Sequence, residues 1–239
     1  MGKVEKVKNK INFMDGVPRI NILEDSFNDI DIIKDGDSFA LYNKGIRWMT
    51  LDLKTNKQIK EFYSQYDMAY GNVMLTGFGF GILASWLASK PSVESVTVVE
   101  ISEDIVQSFL KNNKISDKIK IVIEDASKYK DSNRYDCLFL DHYETQNDFW
   151  FIRDVKRLAN NIPNHNLFWA WSMEEKMLNN FYSYKDFDIQ QVLEKDEIYI
   201  KELYSNFKNN VLGINTMPDL SPELIKQYFK AYYDRIEYV

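Results

Sequence analysis

From residue 71 onward, short apolar runs alternate with amphipathic stretches. Asn72–Thr76 reads as a first strand and Ile82–Ser89 as the helix behind it. "SVTVVE" (95–100) is a second strand, and "SEDIVQSFLKNN" (102–113) is a helix opened by Ser102 with acidic residues in its first turn. "KIKIVIED" (118–125), "YDCLFLD" (135–141) and "NLFWAWS" (166–172) supply three more strands, and "TQNDFWFIRDVKRLANNI" (145–162) is helical. Strand–helix alternation at this spacing predicts an α/β fold with a parallel sheet and helices on both faces.

The first seventy residues follow a different rhythm. "DIDIIKDG" and "SFALYNKGIRWMTLDL" contain alternating stretches, with Asp35-Gly36-Asp37 as a hairpin turn. Ile59, Phe62, Tyr63 and Tyr66 then recur at helical spacing, in a helix starting after a Thr55 cap. Past residue 172, "SMEEKMLNNFYSY" reads as a helix and "DEIYIKELYSNF" fits strand or helix equally. Ser221-Pro222-Glu223 opens a terminal helix, whose aromatics at 228, 229, 232 and 233 form a stripe. That stripe either packs on its own domain or meets a second copy in a homodimer. The expected organisation is a β-rich extension with a linking helix (1–70), a Rossmann-like domain (71–217) and a C-terminal helix (218–239).

Composition narrows the classes of partner. A net charge of −6 argues against general affinity for nucleic acid or an anionic membrane, since phosphate contacts need clustered Lys and Arg. No apolar run approaches the ~20 residues that span a bilayer. The N-terminal stretch lacks the apolar core of a signal peptide. Cys137 is the only cysteine, so no internal disulfide forms, and a reducing, cytoplasmic setting is expected. Within "YDCLFLD" it reads as a buried structural thiol.

Candidate chemistry begins at "VMLTGFGFGILASWL" (73–87). Gly77, Gly79 and Gly81 turn the first strand into its helix and allow a ligand close to the backbone. A dinucleotide pattern would continue with glycine where Ile82 stands, and Phe78 and Phe80 make the loop apolar. The spacing suits a ligand without phosphates, although a glycine turn can be purely structural. Glu100 ends the second strand, placed to accept from both ribose hydroxyls, and Asp125 ends the third, placed for an adenine amine.

"VMLTGFGFG", "VTVVEIS", "IEDAS" and "YDCLFLD" resemble the successive motifs of class I S-adenosylmethionine-dependent methyltransferases. "PSVESVTVVEISEDIVQSF" resembles the spermidine-synthase-like branch, where a small β-domain precedes the Rossmann-like core; the likeness covers about residues 35–172. The resemblance implies S-adenosylmethionine as cofactor. Gly77, Gly79 and Gly81 would surround its methionine part, Glu100 with Ile101 would hold the ribose, and Asp125 with Ala126 would face the adenine. Asp141 falls where this superfamily places catalytic or substrate-facing groups.

The departures bear on the reaction. Aminopropyltransferases carry an Asp in the glycine loop where this chain has Phe80, and an Asp-Ser-Ser-Asp-Pro-type segment where it has Asp141-His142-Tyr143-Glu144. Polyamines call for several carboxylates, so these losses count against polyamine synthesis. "FLDHYE" is similar to the metal-binding segment of catechol O-methyltransferase-like enzymes, but their Asp-Asn pair after strand five is absent from "FWAWSMEE". Glu174 is the one substitute, and no metal is expected. Two histidines and one cysteine also make a zinc site implausible.

Asp141, His142 and Glu144 remain as catalytic candidates, with His142 as the natural base or else a packing residue. Tyr143, Trp169 and Trp171 are substrate candidates; the two tryptophans either wall the site or belong to the core. His165 is expected to be exposed and uninvolved. The favoured reading is methyl transfer to a small or peptide-borne nucleophile. Aminopropyl transfer, cofactor cleavage and a non-catalytic nucleoside-binding module are the alternatives.

Overall fold

The computed structural model describes residues 16–142, 148–171, 173–181, 189–214 and 219–236. Tyr143, Glu144 and Ser172 lie outside the described residues.

Four antiparallel strands come first: β1 (Asp25–Phe27), β2 (Ile30–Asp35), β3 (Ser38–Asn43) and β4 (Ile46–Asp52), paired in sequence order. Asp35 pairs with Ser38, so Gly36 and Asp37 form the hairpin loop. A register shift sets Met49 opposite Leu41 but Arg47 opposite Tyr42, leaving Trp48 as the extra residue of a β-bulge. Helix α1 (Lys57–Met68) follows. Its N-cap is the left-handed Asn56, not Thr55, while Asp52 Oδ1 accepts from the amides of Lys54 and Thr55 in the turn before it. Ile59 and Phe62 are buried, Tyr66 stacks on Trp86 with ring centroids 4.4 Å apart, and Tyr63 is largely exposed.

The second sheet holds β5 (Gly71–Thr76), β6 (Val93–Glu100), β7 (Ile119–Ile123), β8 (Tyr135–Leu140) and β9 (His165–Ala170). All are parallel, in the order β7-β6-β5-β8-β9. This is a Rossmann-like sheet with intervening helices α2 (Ile82–Ser89), α3 (Glu103–Leu110) and α4 (Asp148–Asn161). The central strands run nearly unbroken in Val, Leu, Phe and Met because both faces are covered. Helix α2 buries six of its eight residues for the same reason. Ser102 caps α3 by accepting from the Ile105 amide at 3.4 Å. Cys137 is fully buried in β8, and burial pushes its thiol up to about 12, so it is structural.

After β9 come α5 (Met173–Phe181), α6 (Ile189–Leu193), α7 (Glu197–Asn206) and α8 (Pro222–Ile236), with a π-helical turn over Phe207–Leu212 extending α7. Residues 197–206 are therefore helical, opened by Asp196, whose side chain accepts from the Tyr199 amide. Tyr228 and Phe229 of the terminal stripe are buried within the chain, and Tyr228 stacks on Trp169. The side chains of Tyr232 and Tyr233 lie outside the described residues.

The N-terminal sheet is pinned to α3. Asp25 accepts from Ser108 at 3.0 Å and from Lys111 at 2.8 Å, and Asn28 donates to Asp104 at 2.8 Å. β4 and α1 lie against the carboxyl ends of the parallel strands and border a cavity there.

Candidate functional site

Strand order reverses between β5 and β8, the point where open α/β sheets bind ligands. A cavity of about 730 Å³ opens there. Its floor is the loop after β5 (Gly77 to Phe80), the end of β6 (Glu100, Ile101), Asp125–Ala126, and Asp141–His142. Its opposite wall comes from Arg47 to Thr50 of β4, one face of α1, and Trp171 with Glu175 beyond β9.

Gly77 has φ +84°, and a Cβ there would sit 2.1 Å from the Asp141 carbonyl oxygen. Any side chain would drive apart the two strand ends that form the crevice, so glycine is required sterically as well as conformationally. Gly79 lies under β4, with its missing Cβ 2.9 Å from the Met49 sulfur. Gly81 does not reach the cavity. It is the left-handed N-cap of α2, and a Cβ there would strike Phe78 and Phe109 at 2.7–2.9 Å. Its role is packing, which corrects the expectation that all three glycines face a ligand.

Glu100 is buried, and its carboxylate bridges two segments. Oε2 accepts from the Phe78 amide at 2.7 Å, and Oε1 accepts from the Ser102 amide at 2.8 Å. A carboxylate has about four acceptor sites, so capacity remains for a ligand hydroxyl. Desolvation pushes this carboxyl above its usual range, against the backbone amides of Ser102, Phe78 and Ile101. Ile101 is exposed beside it and Ala126 is buried, both on the cavity wall. Asp125 is partly desolvated, yet Ser127 and Lys128 hold its carboxyl below the usual range, with Lys128 Nζ 3.2 Å away.

Thr76 is fully buried at the end of β5, and its hydroxyl accepts from the Asp141 amide at 3.1 Å and meets His142 Nδ1 at 2.8 Å. His142 Nε2 is also buried. His142 thus borders the cavity with Nδ1 held at Thr76 and Nε2 buried. Desolvation brings the imidazole down to about 4, with Asp154 and Asp125 pulling the other way. His142 is therefore a neutral wall residue at pH 7, and its expected role as base is not supported by this placement. Asp141 differs: burial pushes its carboxyl up to about 7, and the neighbouring Glu61 carboxylate pushes the same way. A carboxyl near neutrality on a cavity wall is suited to take a proton.

The two tryptophans part company because β9 ends at Ala170. Trp169 is buried, stacks on Tyr228 at 3.3 Å and donates to Glu174 at 3.2 Å. It is a core residue, not a substrate wall, and Glu174 is buried with it away from the cavity. Trp171 does line the cavity, its amide donating to the Leu140 carbonyl at 2.8 Å and its indole to Glu61 at 3.3 Å. His165 is partly buried, its Nδ1 2.7 Å from the Ile162 carbonyl oxygen, so it is not exposed as expected. Among the described residues, no group of three or more His, Cys, Asp or Glu could hold a metal, and no helix is long and apolar enough to cross a membrane.

Sequence reasoning missed Arg47, Trp48, Met49, Lys57, Gln58 and Glu61. Lys57, Gln58 and Glu61 recur at helical spacing beside the apolar stripe of α1, as any solvated face does. Only the packing of α1 over the crevice singles them out.

No protein-family model and no curated protein matches the chain. Among solved structures it is similar to a spermidine synthase from Thermotoga maritima, with TM-score 0.43 and 19% identity over 56% of this chain and 50% of that one. A spermidine synthase in complex with the transition state analogue AdoDATO gives TM-score 0.43 and 18% identity over 56% of this chain and 49% of that one. The N-methyltransferase NodS from Bradyrhizobium japonicum, in complex with S-adenosyl-L-homocysteine, gives 0.37 and 13% over 46% and 56%. The chain thus spans about half the length of each of these proteins.

Proposed function

We propose that the chain is an S-adenosylmethionine-dependent transferase, and that it moves a methyl group to a small or peptide-borne nucleophile. The observation that carries the cofactor assignment is the bond from the Phe78 amide to Glu100. In a dinucleotide site, amides of the glycine loop face a pyrophosphate. Here the first such amide is committed to a buried carboxylate, and a phosphate would meet that negative charge. The rest of the wall agrees: Glu61, Asp125 and Glu175, besides Glu100, outweigh Arg47 and Lys57. A cavity of this sign favours a cationic ligand over an anionic one.

S-adenosylmethionine, when bound, supplies an electrophilic carbon on a sulfonium. The chain's own residues fit its parts. The remaining acceptor capacity of Glu100 suits a ribose hydroxyl, Ile101 and Ala126 offer apolar surface for a base, and the Gly77 cradle allows close backbone approach. Displacement at a sulfonium needs mainly alignment and a place for the acceptor's proton. Asp141 is the group suited to take it, and Trp171 and Trp48 add aromatic surface to the cavity.

Ligand-dependent stability tests the cofactor assignment. S-adenosylmethionine or S-adenosylhomocysteine at 100-fold over Kd should stabilise the fold by about 2.7 kcal/mol. NAD should have no effect, and Glu100→Ala should abolish the gain. Stabilisation by NAD but not by either sulfur nucleoside would overturn the assignment. Incubation with labelled S-adenosylmethionine then separates the reactions: S-adenosylhomocysteine as product supports methyl transfer, and methylthioadenosine opposes it.

A further inference from the structure

Helix α1 lies outside the parallel sheet, yet it places Glu61 between two groups of the cavity. The Trp171 indole donates to Glu61 Oε2 at 3.3 Å, and the Trp171 amide donates to the Leu140 carbonyl at 2.8 Å, one residue before Asp141. A continuous connection therefore runs from α1 through Trp171 to the end of β8. The helix itself is fixed. Ile59 and Phe62 are buried beneath it, Tyr66 stacks on Trp86, and Lys90 Nζ donates to the Tyr66 carbonyl at 2.6 Å and to that of Asp67.

We propose that Glu61 is a positioning residue for the acceptor end of the cavity: it anchors the Trp171 indole and sets a second carboxylate beside Asp141, so that Asp141 is the carboxyl that takes the acceptor's proton. This rests on the transferase reading for its purpose, though not for its geometry. Two carboxylates sharing one low-dielectric site cannot both ionise freely, and the more buried one keeps its proton to higher pH. The raised carboxyl of Asp141, with Glu61 as its named charged neighbour, agrees. The other ionisable groups on the wall are Arg47 of β4, Lys57 of α1, Glu100, Asp125, His142 and Glu175 of α5. Of these groups, Glu61 is the charged neighbour that acts on Asp141.

Glu61→Gln separates the two tasks, because its amide oxygen still accepts from the indole while its charge is gone. Glu61→Ala removes both. Carboxyl ¹³C resonances of the full chain are titrated, with the Asp141 signal identified by its loss in Asp141→Asn. The Trp171 indole N–H signal is identified likewise with Trp171→Phe. In Glu61→Gln the Asp141 midpoint should fall by about one pH unit with the indole signal in place. In Glu61→Ala the indole signal should move as well. An unchanged midpoint in Glu61→Gln, or an unmoved indole signal in Glu61→Ala, overturns the proposal. S-adenosylmethionine binding by the same wild-type sample is measured separately, so failure of the cofactor assignment is distinguishable from failure of the Glu61 assignment.

Discussion

Replacing Asp141 by Asn should stabilise this protein at alkaline pH and leave it unchanged at acid pH. The folded chain holds the Asp141 proton up to about 7, against 3.8 for an ordinary aspartate. The folded state therefore binds this proton more tightly than the unfolded state. Its contribution to stability is complete below about pH 4, declines as pH rises toward 7, and is lost above that. At about 1.4 kcal/mol for each pH unit in this interval, ionising Asp141 costs the fold about 4 kcal/mol. Asp141 lines an open cavity, so screening brings the expected gain at pH 8 to between about 2 and 4 kcal/mol. Asparagine keeps the shape, and the backbone bond from residue 141 to Thr76 is unaffected. Urea unfolding of both proteins at pH 4, 6 and 8 reads the difference directly, since the remaining groups titrate in both. Equal differences at all three pH values would refute the reasoning, as would a less stable variant at pH 8.

Gly77→Ala should lose several kcal/mol, about 3 or more, because its Cβ meets backbone that cannot yield, whereas Gly79→Ala meets only the movable Met49 side chain and should cost about 1–2 kcal/mol; urea midpoints compare them. Glu100→Ala strands the amides of Phe78 and Ser102 and should cost about 2–5 kcal/mol, with S-adenosylmethionine binding lost by calorimetry. His142→Asn should leave any pH dependence of ligand binding between pH 6 and 8 unaltered, since the imidazole is neutral throughout that range. Trp169→Phe should lower the melting temperature without changing nucleoside affinity, since it leaves the buried Glu174 without its indole donor. Trp171→Phe removes the indole bond to Glu61 and should cost about 1 kcal/mol by urea unfolding.

What was legible beforehand follows how local each signal is. The strands and α2 were read closely because burial on both faces writes an unbroken apolar run into the sequence, as in "YDCLFL". Glu100 and Asp125 were readable as cavity residues because the carboxyl end of a parallel strand is itself a position the pattern marks. Trp169 and Trp171 were not separable. They share a spacing of two, and only the end of β9 at Ala170 sends one into the core and the other to the cavity. The two readings of His142, base or packing residue, are not separable in sequence, because the Thr76 hydroxyl beside its Nδ1 comes from a strand sixty-six residues earlier. Glu61 was invisible for a related reason, since its importance depends on where α1 is docked.

The two halves of the cavity thus differ in origin. The floor is built by residues that end parallel strands, and their order along the chain dictates their order in space. The wall over Asp141 is built by β4 and α1, and by Trp171 and Glu175 beyond β9. In β4 the bulge at Trp48 breaks strict alternation, so four successive residues, Arg47 to Thr50, all border the cavity. A regular strand would have turned half of them away. The extension therefore contributes surface to the cavity, in addition to covering the sheet. Changes confined to β4 and α1 should alter which acceptor is used while leaving nucleoside affinity intact, because Glu100, Ile101 and Ala126 belong to the other half.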